Sequence, residues 1–303
     1  MLTRSIQEIR RNIHLYLLAL PALIYLIVFA YVPMFGHLIA FKNFRPTEGL
    51  WGSEWVGFKH FYFFFLNDYW ITVTWNTLYL NFLNIFFGTI FAIITAVFLN
   101  EIRFVLFKKI SQSFIFLPFF LSWVVVAYMV FALLSTRDGL INNVLTQLGT
   151  DGVSWYASPQ YWPAIITTIQ VWKGVGAGAI IYLAAMSGIS GEYYESARID
   201  GANRLKQIWF ITLPLLRPTV IMLTLLAVGG IFYGDFGLIY SIVGENALLF
   251  PTTDVIDTYV YRGLRSNFSS SAAIVLWQSC MGLICICTVN WMTRKLDKDS
   301  SLW

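Results

Sequence analysis

The chain has 303 residues, of which 58% are apolar and only 12% are charged. A soluble protein carries about 25% charged residues, so this chain has too few ions to cover a water-exposed surface. The mean hydropathy of +0.67, with 12 Trp and 16 Tyr whose rings favour the membrane–water boundary, indicates an integral membrane protein. The formal net charge of +4 does not indicate nucleic acid as a partner, because the basic residues are scattered and form no patch.

Apolar runs predict the architecture, since about 20 apolar residues cross the hydrocarbon core as a helix. Four runs lack Asp, Glu, Lys and Arg, and two more qualify if Lys173 and Asp235 are tolerated. The six predicted helices cover residues 15–41, 70–99, 112–134, 161–187, 219–242 and 268–292. No other segment is long and polar enough for a soluble domain. We therefore expect an all-α integral membrane protein with six transmembrane helices, forming a single domain over residues 1–303.

The distribution of Lys and Arg predicts the orientation, because these residues stay on the cytoplasmic side. With the N-terminus inside, the inner segments carry thirteen of the 20 Lys and Arg residues and the outer segments carry six. We therefore expect both termini in the cytoplasm. A cleaved signal peptide is the alternative for the N-terminus. The first apolar run, however, exceeds the roughly 7–15 residues of a signal-peptide core, and Pro21 interrupts it.

The sequence contains no catalytic or metal-binding motif that we recognise. No lysine follows a glycine, which excludes a P-loop, and the HExxH and GxSxG patterns are absent. The three histidines lack the spacing of a metal site, and the three cysteines are expected to pack as small apolar side chains. These residues are His14, His37, His60, Cys280, Cys285 and Cys287. We expect a non-enzymatic chain that binds no metal and no cofactor.

The loop 188–218, between the fourth and fifth predicted helices, is long for a connection in a helical bundle. Its first part, residues 191–200, has acidic residues near the start of a predicted short helix, and Gly201 is placed to end that helix. A second helical stretch, 202–213, is predicted to stop at Pro214 and Pro218, where the fifth membrane helix would start. The sequence thus predicts two short helices, joined by a glycine bend, lying against the membrane.

This loop resembles the EAA motif of permease subunits of bacterial ABC importers. The matching residues are Glu195-Ser196-Ala197, Asp200-Gly201-Ala202, Ile211, Leu213-Pro214 and Pro218, with Ser196 where alanine is usual. In that family the loop forms a coupling helix, which sits in a cleft of an ATPase subunit and transmits its closure to the membrane helices. The resemblance implies the coupling positions Glu195, Ser196, Ala197, Asp200, Gly201, Ala202, Leu213 and Pro214.

Further segments are similar to carbohydrate permeases of the polysaccharide-uptake type, and to the larger maltose permease subunit. They are Tyr31-Val32-Pro33-Met34 with Gly36, Ala40 to Phe44, Trp55 to Phe58, Asn100 to Arg103, and Leu117-Pro118 with Ser122-Trp123. The resemblance implies a type I ABC importer permease fold in the bacterial cytoplasmic (inner) membrane. It also implies a second permease chain, two ABC ATPase subunits that hold ATP and Mg, and an extracytoplasmic binding protein that delivers an oligosaccharide.

The residues themselves agree with half of a two-chain pore. A secondary carrier usually shows internal repeats and paired Gly or Pro breaks, which we do not find. Two alternatives stay open at this stage: an ABC permease for a non-sugar solute, and a carrier or channel that works without an ATPase. In every case the lipid bilayer is a partner.

The resemblance implies a substrate pathway on the fourth and fifth helices, because sugar-facing positions of the family lie on the helices that flank the coupling loop. Lys173 lies roughly 21 Å outward of residue 187 and Asp235 roughly 24 Å outward of residue 219, so the two charges are level. Glycines surround both charges, and loosened backbone is tolerated in a membrane only against protein or water. The predicted pathway residues are Gln170, Lys173, Gly174, Ala177, Gly230, Tyr233, Gly234 and Asp235.

Two interpretations of the charges remain at this stage. Lys173 and Asp235 could pair, or extend outward, and merely fix the packing of the helices. Alternatively, Lys173 faces the pathway and meets an acidic sugar such as a uronate oligomer. The aromatic segment from Phe58 to Phe65 is expected to anchor the chain at the membrane interface, with contact to the binding protein as the alternative.

Overall fold

The computed structural model describes residues 11–296. Within this range the chain forms two compact units. The first comprises residues 11–67 and 260–277, and the second comprises residues 68–259 and 278–296. The single domain over residues 1–303 stays a prediction. In the first unit, the side chains between residues 13 and 26 are all exposed.

The first unit begins with one long apolar helix. It comprises α1 (Ile13–Leu26), a π turn (Ile27–Tyr31), α2 (Val32–Met34) and a 3-10 segment (Phe35–Phe41). Then follow β1 (Lys42–Asn43), α3 (Gly49–Gly52), β2 (Glu54–Trp55) and α4 (Lys59–Leu66), with β1 and β2 antiparallel and Lys42 opposite Trp55. The ring of Phe41 contacts Trp55, Phe58 and Phe61, which holds this outer segment together.

The second unit is built on two long helices that pack along each other. They are α5 (Tyr69–Glu101) and α9 (Trp162–Ser187). Between them lie α6 (Val105–Phe116), a 3-10 segment (Leu117–Phe120), α7 (Trp123–Leu134) and α8 (Leu140–Gln147). The contact between α5 and α9 is close because its residues are small: Ala92, Ala96 and Ala179 are buried, and a Cβ on Gly178 would lie 2.9 Å from the Cβ of Ala92.

The predicted third helix, 112–134, is broken in the structure. The segments Val105–Phe120 and Trp123–Leu134 meet at an angle of 96°. Pro118 lies in the 3-10 turn before the bend, and Ser122 has an extended backbone and caps α7 by accepting from the N–H of Val125. The prediction missed this break because the apolar run continues across it.

The predicted fifth helix, 219–242, is wrong at both ends. An unbroken helix starts instead at α11 (Arg204–Gln207) and continues through a π turn (Ile208–Thr212) into α12 (Leu213–Gly229). Pro214 and Pro218 do not stop this helix. Pro214 directly follows the π turn, where the ordinary i to i−4 pattern is already interrupted, so its missing N–H is tolerated there.

At its outer end the same helix stops at Gly229, and α13 (Phe236–Ile242) begins only after a non-helical segment, residues 230–235. Glycines at 229, 230 and 234 disfavour a helix, and Asp235 caps α13 by accepting from the N–H of Leu238 at 2.9 Å. We call residues 230–235 the break. The chain closes with α14 (Phe250–Thr253), α15 (Ile256–Leu264) and α16 (Phe268–Leu296).

Among the described residues, five helices are long and apolar enough to cross a membrane, and a sixth is counted if the bent pair is one span. Two apolar cores hold the second unit. One joins α7 and α13 to the start of α9 around Trp162 and Leu238, and the other joins α5, α9 and α12 around Tyr182 and Leu216. The orientation of the termini stays a prediction.

Candidate functional site

A cavity of about 300 Å³ lies where the bent third helix, α5, α9 and the break meet. Its lining is unusual for a chain this apolar, because it contains one cation, one carboxylate and two amide side chains. The lining residues are Asn84, Phe119, Trp123, Gln170, Lys173, Gly174 and Asp235. Four of these belong to the predicted pathway, and the structure therefore places residues of the fourth and fifth predicted helices around one space.

Lys173 is held at the bend of the third helix. Its Nζ donates to the carbonyl oxygen of Phe119 at 2.9 Å and lies over the rings of Trp123, at 4.8 Å, and Phe119, at 5.4 Å. The bend interrupts the regular helical hydrogen bonding near Phe119, and a cation is favourable at such a helix end. The ammonium is therefore stabilised by a carbonyl dipole and two ring faces.

Lys173 and Asp235 do not form an ion pair. Among the described residues, ion pairs join Arg45 to Glu48 and Arg204 to Glu101, whereas Lys173 and Asp235 form none with each other. The interpretation in which Lys173 and Asp235 pair to fix helix packing is therefore wrong. Both charges line the same cavity, each held by backbone groups.

The other predicted pathway residues divide into two groups. Gln170 and Gly174 line the cavity, and the Oε1 atom of Gln170 is buried without a hydrogen-bond partner. Ala177, Gly230, Tyr233 and Gly234 do not line it. Ala177 is a half-buried residue further along α9, and the other three belong to the break.

The prediction missed three lining residues, Asn84, Phe119 and Trp123. Asn84 carried a signal that could have been used, because a polar side chain inside an apolar membrane helix is costly and commonly functional. Phe119 and Trp123 enter the cavity only because the third helix bends between them, which no apolar pattern indicates.

Side chains from three elements satisfy the backbone of the break. Asn81 donates to the carbonyl oxygens of Ile231 and Tyr233, both at 2.9 Å. Gln278, on α16, donates to the carbonyl oxygen of Phe232 at 2.6 Å. These bonds pair the polar groups of the non-helical backbone within the protein.

Asp257, on α15, completes this set. Its Oδ2 accepts from the backbone N–H of Gly234 at 2.6 Å and from Nε2 of Gln278 at 3.2 Å. Asp257 belongs to none of the candidate membrane spans. Burial raises the pKa of its carboxyl group, whereas the hydrogen bonds from Gly234 and Gln278 lower it. The neighbouring Tyr233 hydroxyl donates to Ser279 at 3.0 Å.

The second candidate segment is the loop 188–218, where the structure has the predicted short helix, α10 (Gly191–Ile199). Ser190 caps its start by accepting from the N–H of Glu192. Its end is a Schellman motif: the N–H of Ala202 donates to the carbonyl of Ala197 at 2.8 Å, and Gly201 has a φ of +77°. Asn203 then caps the helix that begins at Arg204.

A hydrogen bond of 3.0 Å between the hydroxyls of Tyr194 and Thr212 ties α10 to the following helix. The outward surface of this segment is open: Glu195, Ser196, Asp200 and Gly201 are exposed, and Ile199 is 88% exposed. The remaining predicted coupling positions are less open or lie elsewhere. Ala197 and Ala202 are half-buried, whereas Leu213 and Pro214 belong to the membrane helix rather than to the bend.

Comparisons with known proteins agree with this arrangement. Residues 88–300 match the family described as "Binding-protein-dependent transport system inner membrane component". The chain is 37% identical to Protein LplB of Bacillus subtilis (strain 168), over 96% of this chain and 92% of that protein. It is 36% identical to the polygalacturonan/rhamnogalacturonan transport system permease protein YteP of the same organism, over 94% and 89% of the two chains.

A solved structure of a bacterial ABC transporter involved in the import of the acidic polysaccharide alginate matches with a TM-score of 0.88 and 33% identity. The match covers 97% of this chain and 99% of that one. The chain therefore belongs to the family of binding-protein-dependent transport system inner membrane components, and it is a membrane permease.

Proposed function

We propose that this chain is the transmembrane subunit of an ATP-driven importer that moves an acidic oligosaccharide from an extracytoplasmic binding protein into the cytoplasm. Two relatives support the substrate class by what they transport, since one is a polygalacturonan/rhamnogalacturonan permease and the other imports the acidic polysaccharide alginate. The observation that carries the proposal is the position of Lys173 in the 300 Å³ cavity.

The cavity offers each group that an acidic sugar needs. The rings of Phe119 and Trp123 can make apolar contacts with a sugar ring, and the amides of Asn84 and Gln170 can pair with hydroxyls. The unpaired Oε1 of Gln170 is an acceptor in need of a donor, and a sugar hydroxyl supplies one.

The two charges have different roles in this proposal. The Lys173 ammonium uses one of its three hydrogens on Phe119, which leaves two for a substrate carboxylate. Asp235 already accepts from Leu238 through Oδ1, and its other oxygen can accept from a sugar hydroxyl while repelling a second carboxylate. The cavity thus accepts an acidic sugar unit in one orientation.

We further propose that the exposed surface of α10 and its glycine bend contacts one of two partner ATPase subunits, while a second permease chain completes the pore. The contact positions are Glu195, Ser196, Ala197, Asp200, Gly201 and Ala202. Closure of the ATPases around ATP and Mg would move α10 and turn the cavity from one side of the membrane to the other. Shifting a two-state pore from 1:99 to 99:1 takes about 5.5 kcal/mol, which this contact has to transmit.

The test is import by the reconstituted complex in vesicles, with its binding protein, using labelled uronate and neutral oligosaccharides. We expect Lys173→Ala to raise the KM for the uronate oligomer about tenfold or more, because a charge-assisted hydrogen bond is lost. Lys173→Arg should retain most of the import. Lys109→Ala, at an exposed lysine away from the cavity, is the matched control.

Unchanged uronate import by Lys173→Ala would refute the assignment of the cavity. A wild-type complex that imports only non-sugar solutes, with no competition from oligosaccharides, would refute the substrate class. Import that persists without ATP would refute the dependence on an ATPase.

A further inference from the structure

The break is held from outside the cavity by a set of side chains that line no part of it. Asn81, Asp257 and Gln278 come from three different elements, α5, α15 and α16. Between them they bind three carbonyl oxygens and one N–H within four consecutive residues, 231–234. None of the three side chains belongs to the cavity lining.

Of these four contacts, the hydrogen bond from the Gly234 N–H to Asp257 lies nearest in sequence to the cavity residue Asp235. Gly234 directly precedes Asp235, which lines the cavity and starts α13. The backbone at Gly234 also has little room to move, because a Cβ there would lie 2.8 Å from Cγ2 of Val255 and 3.0 Å from Oδ2 of Asp257. The position of the Gly234 backbone therefore fixes where the Asp235 side chain begins.

We propose that Asp257 is a positioning residue for the cavity: by binding the Gly234 N–H, it holds Asp235 at the place where the side chain can accept from the substrate. This inference rests on the proposed function only in that the cavity takes the substrate. Asp257 does not line the cavity and acts through the Gly234 backbone.

The site needs an acceptor oxygen that two donors can share. Oδ2 of Asp257 receives two hydrogens, from Gly234 and from Gln278, and Gln278 in turn holds the carbonyl of Phe232. Removing the carboxylate leaves the Gly234 N–H without its acceptor in a half-buried place and takes one of two acceptors from Gln278, so the break loses its hydrogen bond to α15. An asparagine keeps an acceptor oxygen of similar reach, whereas a glutamate displaces the oxygens by one methylene.

A residue that merely stabilises the fold would also lower activity, so the test is a double-mutant cycle with Asp235. KM and the saturated import rate are measured for Asp257→Ala, Asp257→Glu, Asp257→Asn, Asp235→Asn, and the double variants of Asp235→Asn with Asp257→Ala and Asp257→Glu, using whichever solute the wild-type complex imports. We expect Asp257→Ala and Asp257→Glu to raise KM about tenfold, with less than a twofold change in the saturated rate. Asp257→Asn should stay within about twofold of the wild-type KM.

In the Asp235→Asn background, the loss of Asp257 should raise KM by less than about twofold, because its effect passes through Asp235. Asp254→Asn is the matched control. The Asp254 carboxylate is buried and accepts from Tyr69 and Thr258, so the variant should lower stability without a change in KM.

Additive effects of the Asp257 and Asp235 substitutions on KM would overturn the proposal. So would a wild-type KM in Asp257→Ala, and so would failure of both Asp257→Ala and Asp257→Glu to assemble, because Asp257 would then serve the fold rather than the cavity. These outcomes are separate from the failure of the proposed function, since the cycle uses the solute that the wild type actually transports.

Discussion

The substitution Gly201→Ala, in the glycine bend at the end of α10, tests the proposed contact between α10 and an ATPase subunit. Gly201 has a φ of +77°, in the left-handed region where an L-residue with a Cβ is strained. A Cβ at this position would meet no atom within 4 Å, so the cost of alanine is that of the backbone alone. That cost is about 1–2 kcal/mol, which lowers the ratio of bent to unbent molecules by a factor of about 5–30.

The assay is the ATPase activity of the reconstituted complex, with and without the loaded binding protein. We expect Gly201→Ala to lower the stimulation by the binding protein about fivefold or more, because fewer molecules hold the bend that presents α10. Gly201→Asn should recover much of the activity, since asparagine tolerates the left-handed region better than alanine.

Gly191→Ala is the control, because Gly191 lies at the start of the same helix, has no positive φ and also has open space around its Cβ position. This variant should keep the wild-type stimulation. Equal stimulation in Gly201→Ala and the wild type, or equal losses in the alanine and asparagine variants, would refute the reasoning.

Three further predictions concern other contacts. Tyr194→Phe removes the hydrogen bond to Thr212, worth about 1 kcal/mol, and should weaken the ATPase stimulation about fivefold without loss of assembled complex. Gly234→Ala should lower the free energy of unfolding by an overpacking cost of roughly 1–3 kcal/mol, measured as a lower thermal midpoint. Val255→Ala in the same chain should restore part of this loss. Burial lowers the pKa of His60 below 6.5. The stability contributed by the neutral side chain is therefore complete above pH 6.5 and is lost as the pH falls through the folded-state pKa. In His60→Gln, the thermal midpoint should depend less on pH over this range.

The sequence predicted the parts of the structure that follow from local rules. The helix from Gly191 and its glycine bend depend on residues within a few positions of each other, and the structure has them at those positions. The depth estimate for Asp235 assumed a continuous helix from residue 219, which the structure does not have, although Lys173 and Asp235 do line one cavity.

The two errors in the membrane helices have a shared cause. Apolar composition identifies residues that can lie in lipid, but a break within an apolar segment is stabilised by distant side chains. The break after Gly229 is stabilised by hydrogen bonds with Asn81, Asp257 and Gln278, whose partners in the break lie 23 to 152 residues away in sequence. Likewise, the bend at residues 117–122 receives Lys173 from α9. Neither partner set is visible in the sequence around the break.

The observed bounds of the fifth helix change how α10 and the cavity can be connected. The predicted helix started at residue 219, with a separate short helix before it, so that motion of the loop would pass through a joint. In the structure the helix is unbroken from Arg204 to Gly229, a length of about 38 Å. It begins three residues after the bend at Gly201 and ends directly before the break that leads to Asp235. Because one continuous helix links the two ends, we expect a displacement of α10 to be passed along it to the break, and the hydrogen-bonded backbone of the break to pass it to the cavity wall.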